Sequence, residues 1–282
     1  MSEKLVSVIM PCFNDGAFIR ESIASVWNQT YPHVELIIID DGSDDEQTVS
    51  ILAEIEKEGK CVLLHTEHEG PSGARNHGIS KASGTYILPL DSDDTIDPTY
   101  IEKAVRKIEE KPEYGVVYCQ ADLFGEASGR WDLPNYSFEQ MLRDNIVFIT
   151  ALFYKEDWEA VGGFKTNMEI GMEDYDFWIG LMELGREIYQ IPEVLFHYRI
   201  KKKSRTTSLM SDIQGVKKMY ERIYDNHPRF YERYRVEYAK QLRETLIEQI
   251  FMRNRLVEAN EMYEKLKKNP LIKMLIKRII RA

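Results

Sequence analysis

Apolar residues in the first part of the chain come in short unbroken runs. Val6-Ser7-Val8-Ile9-Met10 ends at Pro11, and Val34 to Ile39 is nearly continuous before Asp40-Asp41. Cys61 to Leu64, Thr85 to Leu90 and Gly115 to Cys119 repeat the pattern. Runs of this kind predict strands buried on both faces of a mainly parallel sheet, because a strand with one wet face would alternate. Between the runs the apolar spacing lengthens to the helical period. Phe18, Ile19, Ile23, Val26 and Trp27 predict one helix, and Ile51, Leu52 and Ile55 a second, with capping-box spacing in Ser43-Asp44-Asp45-Glu46. Asp97-Pro98 offers an N-cap and a proline at the first helical position, ahead of Ile101, Ala104, Val105 and Ile108. The alternation predicts a Rossmann-like α/β layer. Beyond about residue 210 the pattern is helical throughout, glycine stops at Gly215, and Pro228 and Pro270 mark helix starts. These changes set a boundary near Leu209 to Ser211, with an α/β domain over 1–210 and a helical extension over 211–282. No internal repeat occurs.

Length and composition narrow the classes. The 282 residues have room for one large α/β domain with an appendage, and 43% hydrophobic with 30% charged residues excludes a disordered or collagen-like chain. No stretch approaches the roughly 20 apolar residues of a membrane-spanning helix, and the first apolar run, cut by Pro11, is too brief for a signal peptide. Cys12, Cys61 and Cys119 are widely spaced and unlike zinc-ligand patterns, which suits buried free thiols in a reducing cytosol. Net charge is −10, unevenly spread: residues 1–198 hold 15 basic and 37 acidic side chains, residues 199–282 hold 22 and 10. An acidic body repels a bare polyanion, so nucleic acid is not the expected partner. The basic end either meets phosphate or is the solvated face of its helices.

In open α/β sheets ligands bind beyond the carboxyl ends of the strands, and three such ends carry unusual polar groups. Pro11-Cys12-Phe13-Asn14 follows the first strand, Asp40-Asp41-Gly42-Ser43 the second, and Asp91-Ser92-Asp93-Asp94 the fourth. Neither G-x-G-x-x-G nor G-x-x-x-x-G-K-S/T occurs, which argues against a dinucleotide site and a P-loop. Carboxylates crowded as closely as Asp91, Asp93 and Asp94 are costly unless a cation joins them or one is protonated. Hard oxygen ligands on a short loop suit Mg²⁺ or Mn²⁺, with a diphosphate completing the shell. The other reading, helix caps and a solvated turn before Pro98, is open on composition alone.

Four segments in order, VSVIMPCFND, SVWNQTYPHVELIIIDDGSDD, GPSGARNHGISKASGTYILPLDSDD and GGFKTNMEIGMEDYDFW, give the chain over roughly residues 5–200 a resemblance to the inverting family 2 glycosyltransferases of the GT-A fold. The resemblance implies a mixed, mainly parallel sheet flanked by helices, a nucleotide-diphosphate sugar as donor, typically a UDP-sugar, and Mn²⁺ or Mg²⁺ as cofactor. Pro11 and Phe13 would line the nucleotide pocket and Asp41 would bond the base. Arg75 would lie beside base and diphosphate, or form a structural salt bridge to a nearby carboxylate. Asp91 and Asp93 would form the Asp-x-Asp motif, Asp91 toward the ribose and Asp93 on the metal, with Asp94 able to share the ligation. In Met172-Glu173-Asp174-Tyr175-Asp176 the resemblance makes Asp174 the catalytic base. Glu173 would orient the helix that starts there or touch the acceptor. Inverting transfer is one displacement, so it needs a base for the acceptor hydroxyl and a countercharge for the leaving diphosphate.

The basic run from Arg199 through Lys201-Lys202-Lys203-Ser204-Arg205 either closes over a diphosphate or is a solvated turn, and the resemblance implies Arg199, Ser204 and Arg205 as the flap residues. His197 either approaches the metal or packs beneath its strand. The Gln-x-x-Arg-Trp motif of processive synthases is absent, which points to one sugar per encounter. Near the end, Leu271, Ile272, Leu275, Ile276 and Ile279 share a helical stripe beside Lys273, Lys277 and Arg281. A basic amphipathic helix over 270–282 would lie on an anionic membrane, which suits a lipid-linked or glycan acceptor in surface polysaccharide synthesis at the cytoplasmic face. The same stripe would equally pack on the catalytic domain or on a second subunit of a homodimer. Two other classes stay open: a sugar nucleotidyltransferase, and a catalytically idle module that binds sugar nucleotides.

Overall fold

The computed structural model describes residues 3–202 and 212–268. The apolar runs become strands: β1 (Val6–Cys12), β2 (Val34–Asp40), β3 (Val62–His65) and β4 (Tyr86–Pro89). They alternate with the helices α1 (Gly16–Trp27), α2 (Glu46–Glu58) and α3 (Gly70–Lys81). β1 pairs in parallel with β2 on one side and β4 on the other, and β3 adds to β2. β1 is central and buried on both faces, as its unbroken apolar run requires. β3 is an edge strand with Val62 and His65 exposed, so its run does not mark a doubly covered strand.

Two helix starts differ from the sequence reading. The N-cap of α2 is Asp45, whose carboxylate accepts from Thr48 N, while Ser43 Oγ accepts from Asn14 N instead. The helix after Asp97-Pro98, α4 (Tyr100–Glu110), starts two residues later than proposed, because Asp97 closes a turn on Thr99 N and Thr99 Oγ1. Gly16 opens α1 where a Cβ would sit 2.6 Å from Thr48 Cα, so only glycine permits the two helices to meet there.

The second half of the sheet runs through β5 (Thr95–Ile96), β6 (Tyr114–Gly125), β7 (Gly129–Arg130), β8 (Leu152–Tyr154) and β9 (Glu187–Ile200). Among the described residues the order is β3-β2-β1-β4-β8-β6-β9-β5, with β7 on β6. β8 is antiparallel to both β4 and β6, while β9 runs parallel to β6, so the sheet is mixed. β5 pairs with β9 through Thr95–His197 and Ile96–Phe196, which fastens the segment after Asp91–Asp94 to the far end of β9. Short helices α5 (Phe138–Met141) and α6 (Lys155–Val161) precede α7 (Glu173–Glu183), whose Phe177 and Trp178 pack with Phe153 and Phe164.

The helical extension comprises α8 (Ile213–Asn226), α9 (Pro228–Arg233) and α10 (Arg235–Lys268), and Pro228 opens a helix as its position suggests. Two compact units divide between Arg233 and Tyr234. The expected boundary at residue 210 falls among residues outside the described ones. α8 and α9 group with the sheet because Met219, Ile223, Phe230 and Tyr231 are buried. The second unit has no buried residue in α10.

Candidate active site

The strand order places the site. The chain leaves β1 toward β2 and β3, then returns to the other side of β1 as β4, so the loops after β1 and β4 part at a topological switch point. A crevice opens there, and in this chain it is a cavity of about 880 Å³, near the upper end of the roughly 300–1,000 Å³ usual for small-molecule sites. All three polar strand ends reach its wall, through Pro11 and Phe13, Asp41, and Asp91 to Asp94.

At one end of the cavity Phe13 is 42% exposed, and its ring centroid lies 4.4 Å from that of His68. An exposed aromatic at a pocket mouth provides a stacking face for a planar ligand. Asp41, behind it, is 4% exposed and already engaged: Oδ1 accepts from Thr66 Oγ1 and Glu69 N, and Oδ2 from Gly70 N. These bonds shape the entry to α3, and with several lone pairs per carboxylate Oδ2 retains acceptor capacity toward the cavity.

Arg75, on α3, is 3% exposed, with Nη2 2.7 Å from Asp91 Oδ1 and Nη1 2.9 Å from Glu173 Oε1. Both forks of the guanidinium are therefore spent on protein carboxylates, and Nε has no partner. Asp91 and Glu173 outweigh the burial penalty and hold the guanidinium well above its usual value. The salt bridge of one reading is present, and Arg75 also lines the cavity in which the other reading sets it. The bridge joins α3, the loop after β4 and, through Glu173, the start of α7.

The carboxylates after β4 are not equivalent. Asp94 is 1% exposed, and its Oδ1 accepts from Arg199 N. Asp93 faces the cavity, where Lys201 Nζ lies 2.7 Å from its Oδ2 and 2.8 Å from Asp15 Oδ1. Burial first, then the neighbouring aspartates, push the carboxyls of Asp93 and Asp94 up. Among the described residues no three carboxyl or imidazole groups form a ready metal cage. A small divalent ion carried on a diphosphate needs only one or two carboxylates, however, and Asp91 and Asp93 offer them. The bridging ammonium shows that positive charge is accommodated beside Asp93, so the donor set fits such an ion.

Arg199 is turned away from the cavity. Its Nε donates to Asp93 O, its Nη2 pairs with Glu21, and its guanidinium lies between the rings of Phe18 and Phe124. The structure does not bring this candidate flap residue to the cavity: along β9 side chains alternate, Phe196 and Tyr198 line the cavity, and Arg199 takes the opposite parity. His197 shares that parity and pairs with Asp122 Oδ1 at 2.6 Å, so it packs on its strand and does not line the cavity. From this end of β9 the cation that reaches the cavity, among the described residues, is Lys201, beyond the strand's end; Arg75 lines it from α3. Ser204, Arg205 and the stripe over 270–282 lie outside the described residues.

Asp174, in the first turn of α7 behind a left-handed Met172 (φ 65°), lines the same cavity. Burial, then the adjacent Glu173 charge, push its carboxyl up to about 7, against the opposing pull of Tyr175 N, Arg75 and Asn145. A carboxylate poised there accepts a proton near neutral pH. Asp176, which shares that turn, is 1% exposed and is held by Asn226 Nδ2 at 2.7 Å. The cavity wall also carries the aromatic side chains of Trp131, Phe148, Phe196 and Tyr198. Trp131 and Asn145 carry no local sequence signal; His68 and Lys201 stand beside recognisable motifs that do not disclose their roles.

Comparisons with known proteins bear on the family and the fold. A family model described as glycosyl transferase family 2 matches residues 7–177. The putative teichuronic acid biosynthesis glycosyltransferase TuaG of Bacillus subtilis is 30% identical over 201 residues, covering 70% of this chain and 79% of that protein. An uncharacterized glycosyltransferase of Haemophilus influenzae is 43% identical over 104 residues, 36% of this chain and 42% of its own length. The chain thus spans less than half of some relatives that it matches. Among solved structures, S. aureus TarS 1–349 in complex with UDP superposes with a TM-score of 0.58 at 21% identity, over 70% of this chain and 61% of that one. At that identity the likeness carries the fold alone, a GT-A type of mixed sheet flanked by helices.

Proposed function

The chain belongs to glycosyl transferase family 2, and from that premise we propose that it moves one sugar, with inversion, from a UDP-sugar to a hydroxyl of a surface glycan or lipid-linked acceptor. The observation that carries the reading is that Asp174, its carboxyl pushed up to about 7, opens onto the same cavity as Asp91 and Asp93. TarS structures holding UDP and UDP-GlcNAc support the donor class, and the description of TuaG as a putative teichuronic acid biosynthesis glycosyltransferase supports a polysaccharide acceptor.

The base stacks at Phe13 and His68 against Pro11, and Asp41 Oδ2 accepts its imide N–H. The diphosphate then lies toward Asp91 and Asp93. Mn²⁺ or Mg²⁺, held by Asp93 with Asp91, would supply countercharge to the departing diphosphate. Asp174 takes the acceptor proton as the hydroxyl oxygen bonds to the anomeric carbon. The bond from that carbon to the diphosphate oxygen breaks, and its electron pair leaves with UDP. The apolar wall of Trp131 and Phe148 keeps bulk water from competing with the acceptor.

Thermal-shift screening of UDP-, GDP-, dTDP- and CDP-sugars with and without Mn²⁺ tests the reading, since a ligand specific for the native state raises the melting temperature. A UDP-sugar with Mn²⁺ is expected to raise it by several degrees, as for a ligand at roughly a hundredfold excess over its Kd. No shift from any nucleotide sugar, or pyrophosphate release from a sugar 1-phosphate and a nucleoside triphosphate, would overturn it.

A further inference from the structure

Among the described residues two strong cations line the cavity, Arg75 bonded to Asp91 and Lys201 bonded to Asp93, the first of the two carboxylates proposed to hold the metal. Lys201 bridges Asp93 Oδ2 and Asp15 Oδ1 at 2.7 and 2.8 Å. Asp15 is itself positioned by Ser92 Oγ, 3.3 Å from its Oδ2, so the bridge ties the start of α1 to the loop after β4. The pairing of β5 with β9 fixes the approach: Thr95 lies opposite His197, which brings the end of β9 back over Asp93 and Asp94. Arg75 cannot take this part, because Asp91 and Glu173 occupy it.

We infer that Lys201 makes metal uptake conditional on the donor: its ammonium occupies Asp93 in the empty site and passes to the diphosphate when the nucleotide binds. A dication cannot settle on Asp93 while an ammonium lies within hydrogen-bond distance of Oδ2, since the two like charges repel in a partly dry cleft. An arriving diphosphate carries charge enough for both cations. It draws Lys201 off Asp93 and supplies ligands to the ion, so donor and metal each raise the other's affinity. During transfer the displaced ammonium stays on the leaving group and adds to its neutralisation. No proton or covalent bond changes hands in this exchange. The inference rests on the proposed metal-dependent reaction and adds the residue that orders its ligands.

Mn²⁺ binding followed by electron paramagnetic resonance, with and without UDP, tests it without reference to turnover. Lys201→Gln is expected to tighten Mn²⁺ binding to the nucleotide-free protein about tenfold and to shrink the enhancement by UDP by about the same factor, leaving the part that the diphosphate's own ligands supply. Lys201→Arg keeps the charge and is expected to keep the enhancement; its melting temperature, with that of Lys201→Gln, confirms a folded protein. Equal nucleotide-free Mn²⁺ affinity in Lys201→Gln and the unsubstituted protein, with UDP still promoting binding in both, overturns the inference and leaves the proposed function standing. Failure of every form to take up Mn²⁺ even with UDP removes the metal from the reaction, and the inference with it.

Discussion

Asp174 shows how much one side chain owes to its surroundings. Glu173, Arg75, Asn145 and Tyr175 N act on it, and burial outweighs the groups that favour ionisation, so its carboxyl titrates near 7. As the base it must be ionised, so kcat/KM should rise with pH through about 7 and level off above. Asp174→Asn should lower kcat by about a thousandfold while leaving the thermal shift by UDP intact. The stability effect has a definite sign. The folded carboxyl is raised from 3.8, so the native state binds this proton more tightly than the unfolded chain, and stability falls as pH climbs from about 4 to 7. Asp174→Asn removes that loss: its melting temperature should exceed that of the unsubstituted protein at pH 8 and match it at pH 4.

At the scale of elements, Arg75 joins three pieces that the chain keeps far apart: α3, the loop after β4, and the first turn of α7. Breaking a buried pair leaves an uncompensated charge, so Arg75→Met should destabilise the protein by about 3–5 kcal/mol in urea unfolding. Arg75→Lys, with no planar fork, cannot span Asp91 and Glu173 together and should recover only part of that loss. Motif and spacing led to Arg75 but left its partner open, because Glu173 is 98 residues away in the chain. Arg199 fared differently. The motif around it drew attention to the right segment, and strand parity then turned the side chain from the cavity and left Lys201 facing it.

For the molecule as a whole, the division after Arg233 separates a sheet-bearing unit with the entire described cavity from a unit whose long helix α10 buries no residue. A chain ending at Arg233 keeps the buried core of the first unit and is expected to fold and to melt in a single transition. Its thermal shift by UDP should persist as well. Loss of that shift would bring residues beyond Arg233 into donor binding.

The amino-acid order alone determined the first strands, the helices between them, the three polar strand ends and the family motifs. Each is written in a local period or a short contiguous segment, so neighbouring residues suffice to specify it. Which side chains face the cavity was decided only by tertiary structure. The pairing of β5 with β9 carried Lys201 to Asp93, the crossing of β4 past β1 opened the crevice, and packing beneath α7 set the proton affinity of Asp174. Charge partners and burial depend on distances through space, and no run of neighbouring residues encodes them.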